Sequence, residues 1–220
     1  MPVLNPADAA PAVVAAFDFD GTLTRRDTLL PFLVGGLGWP RFAWVMLRCA
    51  PWLAGYALRL LPNHVAKARL LSLAFAGRTA AEVDRWTTRW LADLPGQLRP
   101  DALQHLQDHQ RAGHCCVLVS ASPDAYLRRA AQQLGFEALI CTELARAGDT
   151  YTGAMQTPNC YGPQKSERLL AWLAAHPVFN DQAVTLHAYG DSPGDVPLLC
   201  LADHAWYRGR PWVAGQSPLP

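Results

Sequence analysis

The sequence carries little charge, and the charges it has nearly cancel. Of its 220 residues 17% are charged and the formal net charge is +1, whereas soluble domains average about 25% charged residues. A general nucleic-acid binder needs a basic surplus to displace counterions from phosphates, so that class is excluded. With 50% hydrophobic residues, 16 glycines and 18 prolines, the chain is not disordered or collagen-like either.

Signals for export, cross-linking and membrane spanning are missing as well. The six cysteines show no CxxC spacing, so we expect buried reduced thiols rather than disulfides or zinc ligands. The N-terminus has no basic start, and Asp18 interrupts its short apolar run, which argues against a secretory signal. A spanning helix needs ~20 apolar residues, whereas the charge-free run at residues 49–58 is short and contains Pro51. These absences predict a cytoplasmic protein, and nothing indicates an obligate protein partner.

Three short apolar runs have the composition of buried parallel strands. They lie at residues 12–19, 115–122 and 183–190, and each ends in small or polar residues before a helical pattern. Strands that alternate with helices predict an α/β core, in which a parallel sheet is flanked by helices. A short strand at 137–144 and a hairpin around 151–153 are expected to complete this core.

Residues 31–94 differ from the rest of the chain. Apolar stretches at helical spacing, interrupted by prolines, predict an inserted all-helical domain between the two parts of the core, 1–30 and 95–220. Between residues 28 and 81 there is no Asp or Glu, whereas arginine and tryptophan are frequent. This composition suits peripheral contact with the headgroup region of an anionic membrane. Alternatively, the same residues form the core of the inserted domain and the arginines lie in water.

Carboxylates gather at the ends of two predicted strands. Asp18 and Asp20 end the first strand within the motif DFDGTLT, and Asp191 and Asp195 follow the third within GDSPGD. Side chains two apart on a strand share a face, and parallel strands bring their carboxyl ends to one edge, where ligands bind. Carboxylates so close together repel unless a proton or a cation intervenes, and their oxygens suit Mg²⁺.

Two further side chains complete a set suited to phosphate chemistry. Ser120 ends the second strand and offers a hydroxyl and nearby N–H groups to an anion, with Ser122 as the neighbouring candidate. Lys165 opens a predicted helix and supplies a fixed positive charge. Carboxylates, a metal ion, a hydroxyl and a lysine together predict a phosphoryl-transfer site, in which the charge of the transferred group must be neutralised.

In this order, DFDGTLT, the strand ending in Ser120, Lys165 and GDSPGD resemble the four motifs of haloacid dehalogenase-like phosphatases. The resemblance covers the core and implies a Rossmann-like fold. The helical insertion after the first motif is similar to the cap of subfamily IB, the subgroup that contains phosphoserine phosphatase. Within that subgroup, the segments around the first and fourth motifs most resemble phosphatidylglycerophosphatase C.

The resemblance implies a role for each matching residue. Asp18 would attack phosphorus and form an aspartyl-phosphate, and Asp20 would protonate the leaving alkoxide and later activate water. Ser120 and Lys165 would hold the phosphoryl oxygens. The resemblance also implies a Mg²⁺ site whose residues would be Asp18, Asp20 through its backbone carbonyl, Asp191 and, steadying a bound water or the lysine, Asp195.

Residues that bind the rest of the substrate are also suggested by the resemblance. In phosphoserine-type relatives an acidic residue at the position of Asp27 binds the substrate's amino group, although Asp is shorter than the usual Glu. Lys67 or Arg69 would supply the matching cation. Equally, Asp27 caps the helix that is expected to begin near residue 28.

The insertion favours one class of phosphomonoester over another. An amino-acid phosphate needs a small polar pocket with paired polar groups, whereas an acid-free stretch rich in arginine and tryptophan suits an anionic amphiphile. We therefore expect a lipid phosphate such as phosphatidylglycerophosphate. The alternatives are a soluble phosphatase of phosphoserine or another small phosphomonoester, and a scaffold that binds Mg²⁺ or a phosphorylated ligand without catalysis.

Overall fold

The computed structural model describes residues 12–180 and 183–214. Parts of the predicted core lie outside the described residues, namely 1–11, 181–182 and 215–220. The prediction about an N-terminal export signal concerns this undescribed segment in part and stays a prediction.

Strands and helices alternate in the core as expected. The strands are β1 Ala12–Phe17, β2 Cys115–Pro123, β3 Ala138–Thr142, β4 Leu144–Ala147, β5 Thr150–Met155, β6 Val184–Gly190, β7 His204–Tyr207 and β8 Arg210–Trp212. The helices are α1 Leu29–Leu37, α2 Trp39–Ala57, α3 Asn63–Phe75, α4 Ala80–Gln97, α5 Pro100–Arg111, α6 Asp124–Gln133, α7 Pro163–Ala175 and α8 Val196–Leu201.

A six-stranded sheet forms the centre of the core in the order β3-β2-β1-β6-β7-β8. All neighbouring pairs are parallel except β7 and β8. The central strand β1 is buried on both faces, because Ala15 and Phe17 pack into one hydrophobic cluster and Val14 and Ala16 into another. Small and β-branched residues suit a strand that is covered by helices on both sides. The predicted α/β fold class is confirmed.

The first strand ends earlier than predicted. β1 stops at Phe17, before either carboxylate, and the chain turns sharply through Phe19–Leu23. Gly21 adopts a φ of +81°, which favours glycine, and the N–H of Thr24 closes the turn on the Phe19 carbonyl at 3.0 Å. Asp18 and Asp20 therefore reach the sheet edge on a turn. The expectation that they share a face as alternate residues of a strand does not apply, because neither lies in the strand.

Helices α1 to α4 form the helical insertion between β1 and α5, and β4 and β5 form a separate antiparallel hairpin beside it. Aromatic side chains join the insertion to the core: the Tyr126 ring of α6 lies 4.5 Å from Phe32 and 4.9 Å from Trp90, measured between ring centres. The helices begin and end within three residues of the predicted limits 31–94. The division into domains at those limits stays a prediction.

The insertion's tryptophans divide between core and surface. Trp86 and Trp90 are buried, whereas Trp39 and Trp44 are exposed. Part of this stretch thus forms the core of the insertion, and another part is exposed; contact with a membrane stays a prediction. Among residues 12–180 and 183–214, no helix combines the length and the hydropathy needed to cross a membrane.

Candidate active site

A buried lysine lies between two buried carboxylates at the carboxyl edge of the sheet. Asp18 directly follows β1, and Asp195 ends a short helical turn after β6. Because β1 and β6 are parallel neighbours, both acids reach the same edge. Lys165, from the first turn of α7, donates to Asp18 Oδ1 at 2.5 Å and also to Asp195 Oδ1. Three residues that are distant in sequence thus form one buried ionic cluster.

These three charges determine one another's protonation. Burial alone would lower the pKa of Lys165, but the two facing carboxylates raise it above its usual value. Burial would raise the pKa of Asp195, but the ammonium and hydrogen bonds from Ser192 hold it below its usual value. Burial and the charge of Asp195 raise the pKa of Asp18 well above its usual value, despite the lysine. Asp18 is therefore the carboxylate that would gain most from a further cation.

Asp191 completes an acidic cluster that can hold such a cation. Asp18, Asp191 and Asp195 each offer one oxygen, and these three atoms lie within 4.8 Å of one another. Gly21 allows this approach, because a Cβ on it would lie only 2.3 Å from Asp191 Oδ2. Carboxylate oxygens are the ligands that Mg²⁺ prefers in proteins. The donor set fits the predicted ion.

The two acids of the GDSPGD motif have different partners. Asp195 Oδ2 accepts hydrogen bonds from the N–H of Asp191 at 3.2 Å and from the N–H and hydroxyl of Ser192 at 2.9 and 2.7 Å. Since its Oδ1 already faces Lys165, Asp195 is suited to fixing the lysine and the loop. Asp191 accepts from the Thr22 hydroxyl at 3.2 Å, and it remains available as a metal ligand.

Asp20 lies in the turn after β1 and has a separate set of partners. Its Oδ1 accepts from the N–H and the hydroxyl of Thr28 at 2.7 and 2.6 Å, and its Oδ2 accepts from the Ser122 hydroxyl at 2.5 Å. The Tyr126 hydroxyl lies 3.0 Å from Thr28 Oγ1. Burial and the charge of Asp27 raise the pKa of Asp20, although these hydrogen bonds oppose the rise. A fixed carboxyl with a raised pKa suits a general acid.

Both candidate serines lie on β2. Ser120 is buried, and its Oγ accepts a hydrogen bond from the N–H of Ser122 at 3.1 Å. Because β2 is the second parallel neighbour of β1, Ser120 lies at the same sheet edge as Asp18. Ser122 instead contacts Asp20. The two serines therefore have distinct positions rather than being interchangeable.

The predicted substrate-binding residues differ in their surroundings. Asp27 is exposed, and its Oδ1 accepts from the N–H of Leu29 at 3.0 Å, which is the capping contact expected from the alternative interpretation. Lys67, on α3, reaches across to the core and donates to the Ala121 carbonyl at 2.6 Å. Burial lowers the pKa of Lys67 to about 8, although the charges of Asp20 and Asp27 oppose this.

Arg69 does not join the cluster. Its guanidinium lies over the Trp52 ring, 4.7 Å from the ring centre. Residues two apart on an α-helix point about 200° away from each other, so Lys67 and Arg69 cannot both face the carboxylates. The structure brings Lys67 to the site and packs Arg69 on Trp52 within the insertion. The prediction named the two as alternatives, and a substrate-binding role for either stays a prediction.

A cleft of about 500 Å³ lies beside the cluster. Its lining includes Pro62, Asn63, His64, Asn159 and Tyr161. Asn159 donates to Asn63 Oδ1 at 3.1 Å and so links the core to the insertion. Tyr161 packs closely on Gly194, where a Cβ would lie 2.2 Å from the ring. The cleft is therefore next to the loop that carries Asp191 and Asp195.

A family model matches most of the chain. Its description is haloacid dehalogenase-like hydrolase, and the match covers residues 15–199. This range includes all the carboxylates of the cluster, together with Ser120 and Lys165. The chain belongs to the haloacid dehalogenase-like hydrolase family. The family predicted from the four motifs is confirmed, while subfamily IB and the phosphatidylglycerophosphatase branch stay predictions.

Relatives of this haloacid dehalogenase-like hydrolase cover nearly its whole length. Protein CicA from Caulobacter vibrioides is 33% identical over 204 residues, or 90% of this chain and 88% of CicA. A protein of unknown function from Bordetella pertussis Tohama I has a TM-score of 0.77 at 24% identity over 89% of both chains. A substrate-bound phosphoserine phosphatase has a TM-score of 0.61 at 14% identity, covering 91% of this chain and 87% of that one. The two solved structures share the fold.

Several polar residues of this haloacid dehalogenase-like hydrolase escaped the sequence analysis. Thr22 stands inside the first motif, so its spacing could have identified it. Thr28 and Tyr126 give no local signal, because only the fold brings Thr28 to Asp20 and Tyr126 to Thr28. A simpler signal was overlooked: the chain has only two lysines, Lys67 and Lys165, and both reach this site.

Proposed function

We propose that this hydrolase is a Mg²⁺-dependent phosphomonoesterase that acts through an aspartyl-phosphate on Asp18. The observation that carries the proposal is the buried arrangement of Asp18, Lys165 and Asp195 beside a second carboxyl, Asp20, with separate partners. A nucleophile needs an orienting cation, and a leaving group needs a proton donor. The two aspartates supply these different functions because their surroundings differ.

Each step then uses a group of this chain. Asp18 attacks phosphorus, and the bond between phosphorus and the leaving oxygen breaks as Asp20 gives that oxygen its proton. Asp20, now a carboxylate stabilised by Thr28 and Ser122, takes a proton from a water that attacks the aspartyl-phosphate. Phosphate leaves and Asp18 is restored. Lys165 balances negative charge at Asp18 throughout.

The acidic cluster supports a resident metal ion. Asp18, Asp191 and the backbone carbonyl of Asp20 would hold Mg²⁺, and Asp195 would fix Lys165 and the loop. When bound, the ion neutralises charge on the transferred phosphoryl group. Ser120 would donate its hydroxyl to a phosphoryl oxygen.

We propose a lipid phosphate, such as phosphatidylglycerophosphate, as the substrate. Leu58 and Leu60 are exposed a few residues before the part of the insertion that lines the cleft. Exposed leucines that lead directly into a cleft-lining segment suit acyl chains better than an amino-acid head group. On this proposal the insertion acts as the cap, and the protein is cytoplasmic with peripheral contact to an anionic membrane.

The second candidate is a phosphatase of phosphoserine or a similar small ester. It is favoured by Asp27, whose charge raises the pKa of both Asp20 and Lys67, and by the fold shared with phosphoserine phosphatase. A carboxylate and an ammonium near the leaving group would match an amino acid's two charges. A scaffold that only binds Mg²⁺ or a phosphorylated ligand is the third candidate.

Phosphate release from three esters separates these candidates. Phosphatidylglycerophosphate in detergent micelles, glycerol 3-phosphate and phosphoserine are compared, first with Mg²⁺ and then with a chelator. We expect kcat/KM to be more than about tenfold higher for the lipid than for glycerol 3-phosphate, which lacks the acyl chains, and chelation to stop release. Preference for phosphoserine would favour the second candidate, and no release from any ester would favour the scaffold.

Lys67 gives a prediction about pH. Its pKa of about 8 means that the ammonium loses its proton as pH rises through that value. A phosphomonoester is already a dianion above about pH 6, so KM should rise between pH 7 and 9 while kcat changes little. Lys67→Met should raise KM roughly tenfold at pH 7, because a hydrogen bond to a charged group is lost.

Lys67→Arg is the matched control. Arginine stays protonated over this range, so the variant should keep its KM nearly constant between pH 7 and 9. A wild-type KM that is flat over the same range would remove Lys67 from substrate binding.

A further inference from the structure

We propose that the outer face of α2 and the corner after it dock on an anionic lipid bilayer. We call this surface, made of the exposed residues between Trp39 and Leu60, the docking face. The inference rests on the proposed function and deepens it, because it names the surface through which a lipid substrate would be reached. Its test measures binding of the protein to lipid vesicles and does not require phosphatase activity.

The docking face is strongly apolar and open to solvent. Its large side chains are exposed by 53% to 75%: Trp39, Trp44, Leu47, Leu58 and Leu60. Between them lie exposed small apolar residues, Ala43, Ala50, Pro51, Ala54 and Ala57, together with the exposed Tyr56 and three arginines. With helical spacing they form one stripe along the 19 residues of α2, a length of about 28 Å. Monomeric proteins rarely expose so large an apolar patch without a partner.

The opposite side of α2 is apolar too. Phe42, Val45 and Cys49 are buried against the rest of the insertion. Apart from Arg41 and Arg48, α2 carries apolar residues on both sides, yet only one side of it is covered by the described residues, whereas apolar helix surface is normally buried. Among residues 12–180 and 183–214, nothing covers the outer side of α2, so this side is open to a partner.

Composition favours a bilayer over a protein as the covering partner. Residues 29–62 contain no Asp, Glu, Lys, His, Ser, Thr, Asn or Gln. Protein interfaces carry a polar rim and about ten hydrogen bonds, and this face has almost no side chains to form them. A bilayer requires none, and tryptophan is enriched at its boundary.

The charges of the face favour an anionic surface. Arg41, Arg48 and Arg59 are all exposed, and no carboxylate lies near them in sequence. The Arg48 guanidinium lies 5.6 Å from the centre of the Trp44 ring, so a cation and an aromatic ring are adjacent on this face. Self-association through this face would bring like charges together, whereas anionic headgroups would pair with them.

The corner after α2 holds its leucines outward in a fixed geometry. The N–H of Leu60 bonds to the Gly55 carbonyl at 2.8 Å, and the N–H of Arg59 bonds to the Tyr56 carbonyl at 2.9 Å. This is the pattern of a Schellman motif, in which glycine usually takes the left-handed position. Here Arg59 takes it, with a φ of +58°. A charged residue thus replaces glycine between two exposed leucines.

Docking would bring the active site close to the lipid. The corner runs directly into Pro62, Asn63 and His64, which line the cleft beside the acidic cluster. A second groove of about 520 Å³ lies toward the N-terminal end of α2 and is lined by Arg41, Trp44 and Arg78 among others. Arg41 and Trp44 of the docking face therefore border this groove, and the corner after α2 leads into the cleft.

Vesicle co-sedimentation of the full chain tests the proposal. The probes are vesicles of phosphatidylcholine alone and of phosphatidylcholine mixed with phosphatidylglycerol, each at low and high salt. We expect binding to the anionic vesicles at low salt, roughly a hundredfold stronger than to neutral vesicles because three arginines contribute. High salt should remove most of this difference.

Two variants locate the contact. Leu47→Ser with Leu58→Ser and Leu60→Ser should weaken anionic binding at least about tenfold, and Arg41→Ala with Arg48→Ala should remove most of the preference for anionic lipid. All five positions are exposed, so the thermal midpoint should stay unchanged. The matched controls, Leu170→Ser and Arg111→Ala, alter exposed residues of α7 and α5 and should bind like wild type.

Other outcomes overturn the proposal. Absence of anionic binding at low salt, or equal weakening by the control variants, contradicts it. A dimer in solution that the leucine variant dissociates, without vesicle binding, would assign the face to a second copy of the chain. Asp18→Asn keeps the docking face intact, so its normal vesicle binding alongside lost phosphate release would separate docking from catalysis.

Discussion

Asp18→Asn is expected to lower the rate of phosphate release at least about a thousandfold while leaving the protein folded. The amide of asparagine cannot form an acyl-phosphate, yet it has nearly the shape of the carboxylate and can still accept a hydrogen bond from Lys165. Because burial raises the pKa of Asp18 above its usual value, the ionised carboxylate costs stability near neutral pH. The neutral amide removes that cost, so the thermal midpoint should not fall.

The measurement is phosphate release with Mg²⁺, together with a thermal melt of each protein. Asp93→Asn is the matched control, because it makes the same change at an exposed position on α4 and should have wild-type activity. Release by Asp18→Asn at the wild-type rate would contradict the role of Asp18 as nucleophile. Release at the same background level from wild type and Asp18→Asn would favour the scaffold.

Lys165→Met is expected to cost about 3–5 kcal/mol of folding stability near neutral pH. The change leaves Asp18 and Asp195 buried without the ammonium that both contact. For a chain of this size the thermal midpoint should fall by about 10 °C. Phosphate release should fall as well, because the nucleophile is no longer oriented.

The stability difference should depend on pH in a defined direction. In the wild type the pKa of Asp195 is lowered, so its contribution is present above the unfolded pKa and lost as pH falls through the folded one. In the variant both carboxylates should have raised pKa values, and their cost should disappear as they take up protons. The gap between the two melts should therefore be widest near neutral pH and close toward about pH 4.

Arg111→Met is the matched control for this substitution. Arg111 pairs with Asp108 on the exposed face of α5, and an exposed pair contributes about 0–1 kcal/mol. A Lys165→Met melt that is no lower than that of the control, or a gap that does not change with pH, would contradict the buried ionic cluster.

The sequence alone determined the family and the residues of the ionic cluster. Asp18 and Asp195 could be identified because each stands in a short motif after a strand, and Lys165 because it opens a helix. In a parallel sheet such ends meet at one edge whatever the loops between them do. The α/β fold class follows from the same runs, since buried strands alternate with helices.

Only the tertiary structure decided what each group touches. Thr28 contacts Asp20 and Tyr126 contacts Thr28 because α1 and α6 pack together over the turn. Arg69 packs on Trp52 rather than facing the site beside Lys67, because residues two apart on a helix point in different directions. The sequence also did not decide which residues of α2 are exposed, since its apolar residues are compatible with a protein core and with a membrane-contacting surface. Local sequence fixes which residues reach a strand end, but contacts between distant side chains depend on how whole helices pack, and no short pattern encodes that packing.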